Sequence, residues 1–217
     1  MANFVLSTQE IKDSLTTLAK TDTHIAAAIE SVGFPTERVS PQGFNNLLRV
    51  IVGQQLSVTA AAAIWGRIQE LSSAEATPSD YAIISDEALK TAGLSRQKVT
   101  YFRSLCDTVL SGDLNTEAFP DMSDGEVIKA ITAVKGLGVW SAHMYLMFSL
   151  GRADVWPVGD LAVRVGVGRI LGLTDRPNEK QTQSLGKKWA PHRSVVALLA
   201  WHFYSNAPFQ ETENTDK

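Results

Sequence analysis

A chain of 217 residues with 44% hydrophobic content is long enough to bury a core, either as one large domain or as two small ones. Its single cysteine, Cys106, excludes an internal disulfide, an all-cysteine zinc site and a cysteine-ligated iron–sulfur cluster. The net charge of −3 hides an asymmetry, because from Lys129 to Asn206 ten Lys and Arg residues face four Asp and Glu. Such an excess suits a polyanion partner and is equally the mark of a solvated face.

Strand signals are nearly absent: there is no alternating β-branched run and no Asn-Gly hairpin, so the expected fold class is all-α. In chain order, Ser7-Thr8-Gln9-Glu10 reads as a capping box, and Ser40-Pro41 places proline at a first helical position. Ser123-Asp124-Gly125-Glu126 reads as a second capping box, and each of the three is expected to open a helix. Further helices are expected over about 22–31, 57–71, 86–92, 95–110, 139–150, 161–171, 178–188 and 191–205. The helix from Val139 is apolar nearly all round, which predicts burial at the centre of the molecule. The polar, acidic tail over 207–217 is expected to be disordered. No run of 18 apolar residues occurs and the N-terminus lacks a signal peptide's basic start, so no membrane partner and a cytoplasmic (nucleoid) or nuclear location are expected.

Between the helix from Ser123 and the helix from Val139 lies Lys135-Gly136-Leu137-Gly138. Two glycines leave no Cβ between the backbone and a ligand, so N–H groups at the second helix's N-terminus can face a phosphate. An ordinary αα-corner with a glycine cap has the same pattern. The helix from Val139 rises roughly 18 Å, and the segment 151–159 can extend to about 30 Å, so the chain can return towards the hairpin before Asp160. Asp160 then stands at the start of LAVRVGVGRILGL, where a plain N-cap is the simplest reading.

Three blocks in this order resemble a known family: Ile51-Val52-Gly53-Gln54-Gln55-Leu56-Ser57, the stretch from Lys135 to Asp160, and Trp189-Ala190-Pro191-His192-Arg193-Ser194 running to Trp201. The pattern resembles the helix-hairpin-helix (HhH-GPD) DNA glycosylase superfamily, and within it the AlkA-like 3-methyladenine DNA glycosylase II branch. The resemblance implies a two-lobed all-α HhH-GPD glycosylase fold with a central cleft that Asp160 faces. Residues 43–151 would form a helical barrel lobe carrying the helix-hairpin-helix at about 124–150. Residues 1–42 and 152–206 would form the smaller lobe. The best-known bacterial member has an additional N-terminal β domain that this chain is too short to contain.

The implied activity is that of a monofunctional DNA-3-methyladenine glycosylase, working as a monomer on double-stranded DNA that contains alkylated bases. It would flip the damaged base out and hydrolyse its N-glycosidic bond, leaving an abasic site. By the resemblance Asp160 is the catalytic carboxylate, stabilising positive charge on the deoxyribose, and a helix N-terminus favours its ionised form. Trp140, Trp201, Met144 and Gln54 would line the base pocket, Met144 standing where some members have tyrosine. Gln55, with Leu56 as competitor, would wedge into the gap left by the base, and Lys135, Gly136, Leu137 and Gly138 would grip the backbone. Bulky residues at Gly136 or Gly138 are expected to weaken DNA binding and leave the fold largely intact.

Trp140 occupies the position where bifunctional members carry a Schiff-base lysine, so strand nicking is not expected. Arg193 is implied to be structural. His143 and His202 show no metal-ligand spacing, and the family implies no cofactor and no catalytic metal, with a monovalent cation on the hairpin carbonyls. Two alternatives stay open from the sequence: a helix-hairpin-helix DNA-binding protein of weak or lost activity, and a bifunctional glycosylase/lyase. Neither the ranking of alkylated, etheno and deaminated bases nor the wedge residue follows from the sequence.

Overall fold

Ser7, Asp22, Ser57, Ser85, Ser95, Ser123 and Asp160 each stand just before a helix, with a side-chain oxygen that accepts a first-turn backbone N–H. Capping chemistry written locally in the sequence thus divides the polypeptide into helices. The computed structural model describes residues 6–72 and 76–207, and these form α-helices and short 3₁₀ turns with no strand. The expectation of a disordered tail lies outside the described residues from 208 onwards.

The α-helices are α1 (Thr8–Ala19), α2 (Thr23–Val32), α3 (Phe44–Gly53), α4 (Val58–Glu70), α5 (Pro78–Ala82), α6 (Asp86–Ala92), α7 (Arg96–Leu110), α8 (Asp124–Ala133), α9 (Val139–Phe148), α10 (Leu161–Ile170), α11 (Glu179–Leu185) and α12 (Arg193–Asn206). The Ser123–Glu126 capping box closes in both directions. At Ser7 only one half forms: Ser7 Oγ accepts from Glu10 N, while Glu37 Oε2 accepts from Thr8 N and Thr8 Oγ1.

Pro41 does not open a helix. Gly43, at φ +92°, is the N-cap of α3, and Phe44 is its first residue. The segment before it is drawn out by tertiary bonds: Ser40 N donates to Phe148 O, Gln42 Nε2 to Ser149 O, and Gly43 N to Tyr145 Oη. These partners lie over 100 residues away, beyond the reach of any local propensity.

Two compact units result, one spanning Val39–Gly151 and the other built from the flanking segments up to Arg38 and from Arg152. In the first, Leu47, Leu48, Ile51, Phe102, Leu105, Phe119, Ile131 and Leu146 are essentially fully buried. Each such side chain contributes roughly 1.5–3 kcal/mol relative to exposure. As its composition predicts, α9 is buried over most of its surface, from Ser141 to Met147 apart from His143. Cys106 lies in this core, and burial pushes its thiol pKa up to about 12, which leaves it inert.

In the flanking unit α10 and α12 cross at close range: a Cβ on Gly166 would stand 2.1 Å from the Ala200 carbonyl oxygen. Glycine alone allows that approach. The chain entering α10 is latched to the start of α12, where Ser194 Oγ donates to Arg152 O and accepts from Val155 N. Beside it Arg193 grips Asp154 with Nε and Nη2, each at 2.7 Å. Arg193 is therefore structural, a two-pronged clamp on the segment that leads to Asp160.

Candidate active site

Within the Val39–Gly151 unit, Val134 is the C-cap of α8, and its carbonyl accepts from Leu137 N to close the turn. Gly136 has φ +93°, and the Tyr101 ring of α7 lies against it so closely that a Cβ would stand 2.2 Å from Tyr101 Cγ. The turn is thus seated on an aromatic floor. Leu137 is 4% exposed, so its side chain anchors the turn and only its backbone is available to a ligand. Gly138 is the N-cap of α9 with no side-chain cap, and open space surrounds the position of a Cβ. Lys135 is exposed beside it. This arrangement suits an anion at the head of α9.

Two residues on, in the first turn of α9, Trp140 is 47% exposed, an unusual state for an indole on a helix that is otherwise mostly core. Met144 is four residues further on the same helix face and is buried. His143, partly buried beside them, has its pKa moved down by burial, which the Asp124 carboxylate only partly offsets.

The turn between α3 and α4 holds Gln55 and Leu56, the two residues expected to act as a wedge. Gln55 has φ +57°, a left-handed conformation costly for a residue with a side chain, and both Gln55 and Leu56 are exposed. Ser57 caps α4, its Oγ accepting from Ala60 N at 3.2 Å. Gln54 does something the sequence did not suggest. Its Nε2 donates to Gly136 O at 2.7 Å and ties this turn to the hairpin 82 residues away. From the other side, Lys98 Nζ of α7 donates to Val52 O in the last turn of α3 at 2.7 Å. One helix, α7, therefore supports both loops, through Lys98 and Tyr101.

In the flanking unit Asp160 is the N-cap of α10, and its Oδ1 accepts from Val163 N at 3.0 Å. The same oxygen accepts from Trp201 Nε1 of α12 at 3.0 Å. Two residues singled out separately in the sequence are thus in direct contact, a half-buried carboxylate held by a backbone amide and an indole. The Arg38 guanidinium carbon stands 5.8 Å from the Trp201 ring centroid, over the ring. Arg38, Lys98 and Tyr101 were missed because no motif marks them; only tertiary contact does.

No group of three or more His, Cys, Asp or Glu among the described residues could hold a metal ion. No described helix is long and apolar enough to cross a membrane. A cavity of about 530 Å³ near the C-terminal end of α10, lined by Arg169, Leu173, Arg176 and Phe203 among others, includes none of the residues singled out from the sequence.

Comparison with known proteins agrees with the resemblance. The family model described as HhH-GPD superfamily base excision DNA repair protein matches residues 48–192. DNA-3-methyladenine glycosylase 1 of Schizosaccharomyces pombe is 29% identical over 211 residues, covering 90% of this chain and 92% of the relative. Among solved structures, a DNA-3-methyladenine glycosidase of Bacillus halodurans is 36% identical with a TM-score of 0.80, covering 89% of each chain. The S. pombe 3-methyladenine DNA glycosylase in complex with abasic DNA is 27% identical with a TM-score of 0.81, covering 92% of this chain and 100% of the other.

Proposed function

The chain belongs to the HhH-GPD superfamily of base excision DNA repair proteins, and from that membership we propose that it is a monofunctional DNA-3-methyladenine glycosylase. The observation that carries the reading is the Asp160 carboxylate, presented at a helix N-terminus and held by the Trp201 indole. A carboxylate so fixed can meet the positive charge that spreads over C1′ and the ring oxygen as the glycosidic bond lengthens. The C1′–N bond breaks with its electron pair leaving on the base, a water oxygen bonds to C1′, and the proton released by that water passes to Asp160. A cationic alkylated purine departs neutral, which is why its bond is the weaker one. Position 140 holds tryptophan and not lysine, so the base is released and the sugar remains in an intact strand as an abasic site.

The partner in this reading is double-stranded DNA with an alkylated base turned out of the stack, and a location at the nucleoid or in the nucleus belongs to the same proposal. The uncapped start of α9 and the exposed Lys135 support a backbone grip at the hairpin. Exposed Gln55 and Leu56 support the wedge, and the half-exposed Trp140 supports a stacking face. A monovalent cation on the hairpin carbonyls belongs to the same reading, the Gly136 oxygen keeping a second lone pair beside its bond from Gln54.

The decisive assay is release of bases from methylated duplex DNA, with strands analysed before and after alkali. Free 3-methyladenine or 7-methylguanine from the wild type, with breaks only after alkali, is the expected result. Nicks before alkali would make the chain a lyase, and no release from any alkylated duplex would leave only a DNA-binding protein.

A further inference from the structure

Three arginines of this molecule place Nε on an acceptor: Arg67 on Ala92 O at 2.8 Å, Arg103 on Asp86 Oδ1 at 3.0 Å and Arg193 on Asp154 Oδ1 at 2.7 Å. Arg164 of α10 does not. The residue as a whole is half-buried, while its Nε is shut off from water with no hydrogen-bond partner among the described residues. A buried donor left unpaired opposes folding. The free protein therefore carries a cation whose bonding capacity is unused.

Arg164 stands four residues after Asp160, and its backbone N–H donates to Asp160 O at 3.1 Å, so the two share a helix face. Side chains on a helix lean towards its N-terminus, which lays the Arg164 stem over the turn that begins at Asp160. This spacing favours an ion pair, yet the guanidinium makes none among the described residues. Asp160 Oδ1 is engaged by Val163 N and Trp201 Nε1 instead. Gly159 and Leu161, on either side of Asp160, are exposed.

We propose that Arg164 binds the phosphodiester next to the sugar whose C1′ faces Asp160, a DNA contact that forms only when the damaged nucleotide is in place. The inference rests on the glycosylase reading and adds a residue that seats its substrate. In a nucleotide the flanking phosphate lies one sugar's breadth from C1′, and Arg164 follows Asp160 by roughly 6 Å along the helix axis. A guanidinium fork takes two phosphate oxygens through parallel N–H bonds. Its charge also offsets the repulsion between that phosphate and an ionised Asp160, which would otherwise hold the sugar away from the carboxylate. Burial fixes the stem, so the fork does not reach a duplex that has delivered no nucleotide to the site.

The test measures affinity for two duplexes, one undamaged and one carrying a tetrahydrofuran abasic analogue, with wild type, Arg164→Gln, Arg164→Met and Arg164→Lys. Arg164→Gln and Arg164→Met should bind the analogue duplex roughly 10- to 100-fold more weakly and the undamaged duplex as wild type does. On the analogue duplex the slope of log affinity against log salt should fall by about 0.9 in these two variants. Arg164→Lys, a phosphate-binding point charge, should keep the slope and lose part of the affinity. Unchanged affinity overturns the inference, and so do equal losses on both duplexes, which mark a cation that meets any DNA. Arg164→Met keeps most of the stem and removes the unpaired donor, so it should melt no lower than the wild type. A lower melting temperature with unchanged analogue binding would make Arg164 a structural residue and overturn the proposal.

Binding needs no catalysis, so the two readings fail separately. If the wild type releases no base from any alkylated duplex, the glycosylase reading falls, and a loss confined to the analogue duplex in Arg164→Gln still upholds the phosphate contact. If the wild type releases bases and Arg164→Gln binds the analogue duplex as tightly, the phosphate contact falls alone.

Discussion

Trp201 donates its indole N–H to Asp160 Oδ1 at 3.0 Å, joining the last helix to the first residue before α10 across 41 positions of sequence. The bond is charge-assisted, and its removal leaves both the carboxylate and the ring less well held. Trp201→Phe keeps an aromatic face and loses only the donor, so single-turnover base release should fall roughly ten- to a hundredfold. Asp160→Asn should lower it further, by about 10²- to 10⁴-fold, because the ionised group itself is gone. Asn is as good an N-cap as Asp, so the melting temperature of Asp160→Asn should stay close to that of the wild type. A large drop in stability would mean that the charge of Asp160 serves chiefly the fold.

The two hairpin glycines are expected to behave differently, which corrects the expectation that both tolerate bulk. Gly136 combines φ +93° with Tyr101 in the space of a Cβ, so Gly136→Ala should cost about 2–3 kcal/mol in denaturant unfolding. Gly138 has φ −106° and open space, so Gly138→Val should fold normally and lose affinity for duplex DNA. Unchanged affinity in Gly138→Val would remove the backbone grip.

Gln54, expected in the base pocket, ties the turn between α3 and α4 to the hairpin. Gln54→Ala should slow release of every substrate base by a common factor of about ten, with no change in their ratios. A changed ratio would return Gln54 to the pocket. Lys98→Met loosens the same support from the other side, and the double variant should lose less than the sum of the two single effects in free energy.

Burial moves the His143 pKa below its ordinary 6.5, despite the Asp124 carboxylate that pulls it up. The unfolded chain therefore takes up this proton more readily than the folded one. The stability that depends on neutral His143 is complete above 6.5 and is lost as pH falls from there towards the folded value. Melting temperature should decline between about pH 7 and pH 5, and His143→Gln should decline less over the same range. Parallel curves for the two proteins would exclude this proton from the acid response.

Gly166 lets α10 and α12 cross at backbone contact, and this crossing brings Trp201 to Asp160. Gly166→Ala would press a methyl against the Ala200 carbonyl and should destabilise by about 1–3 kcal/mol. Base release should fall beyond what the unfolded fraction explains, as measured at a temperature where the variant is fully folded.

Much of this molecule is written within a few residues at a time. Ser, Asp and Asn caps, apolar spacing on α8 and the Gly-Leu-Gly corner are interactions closed inside one or two helical turns, and the helices, the hairpin and the Asp160 cap follow from them. Where a local signal failed, as at Pro41, bonds to Tyr145, Phe148 and Ser149 outweighed it. Tertiary structure alone decided that Trp201 holds Asp160, that Gln54 and Tyr101 support the hairpin, and that Arg38 lies over the indole. Those contacts exist only after loops of tens of residues have closed, at an entropic cost repaid by burial of the whole core, so no single stretch of sequence carries their signature.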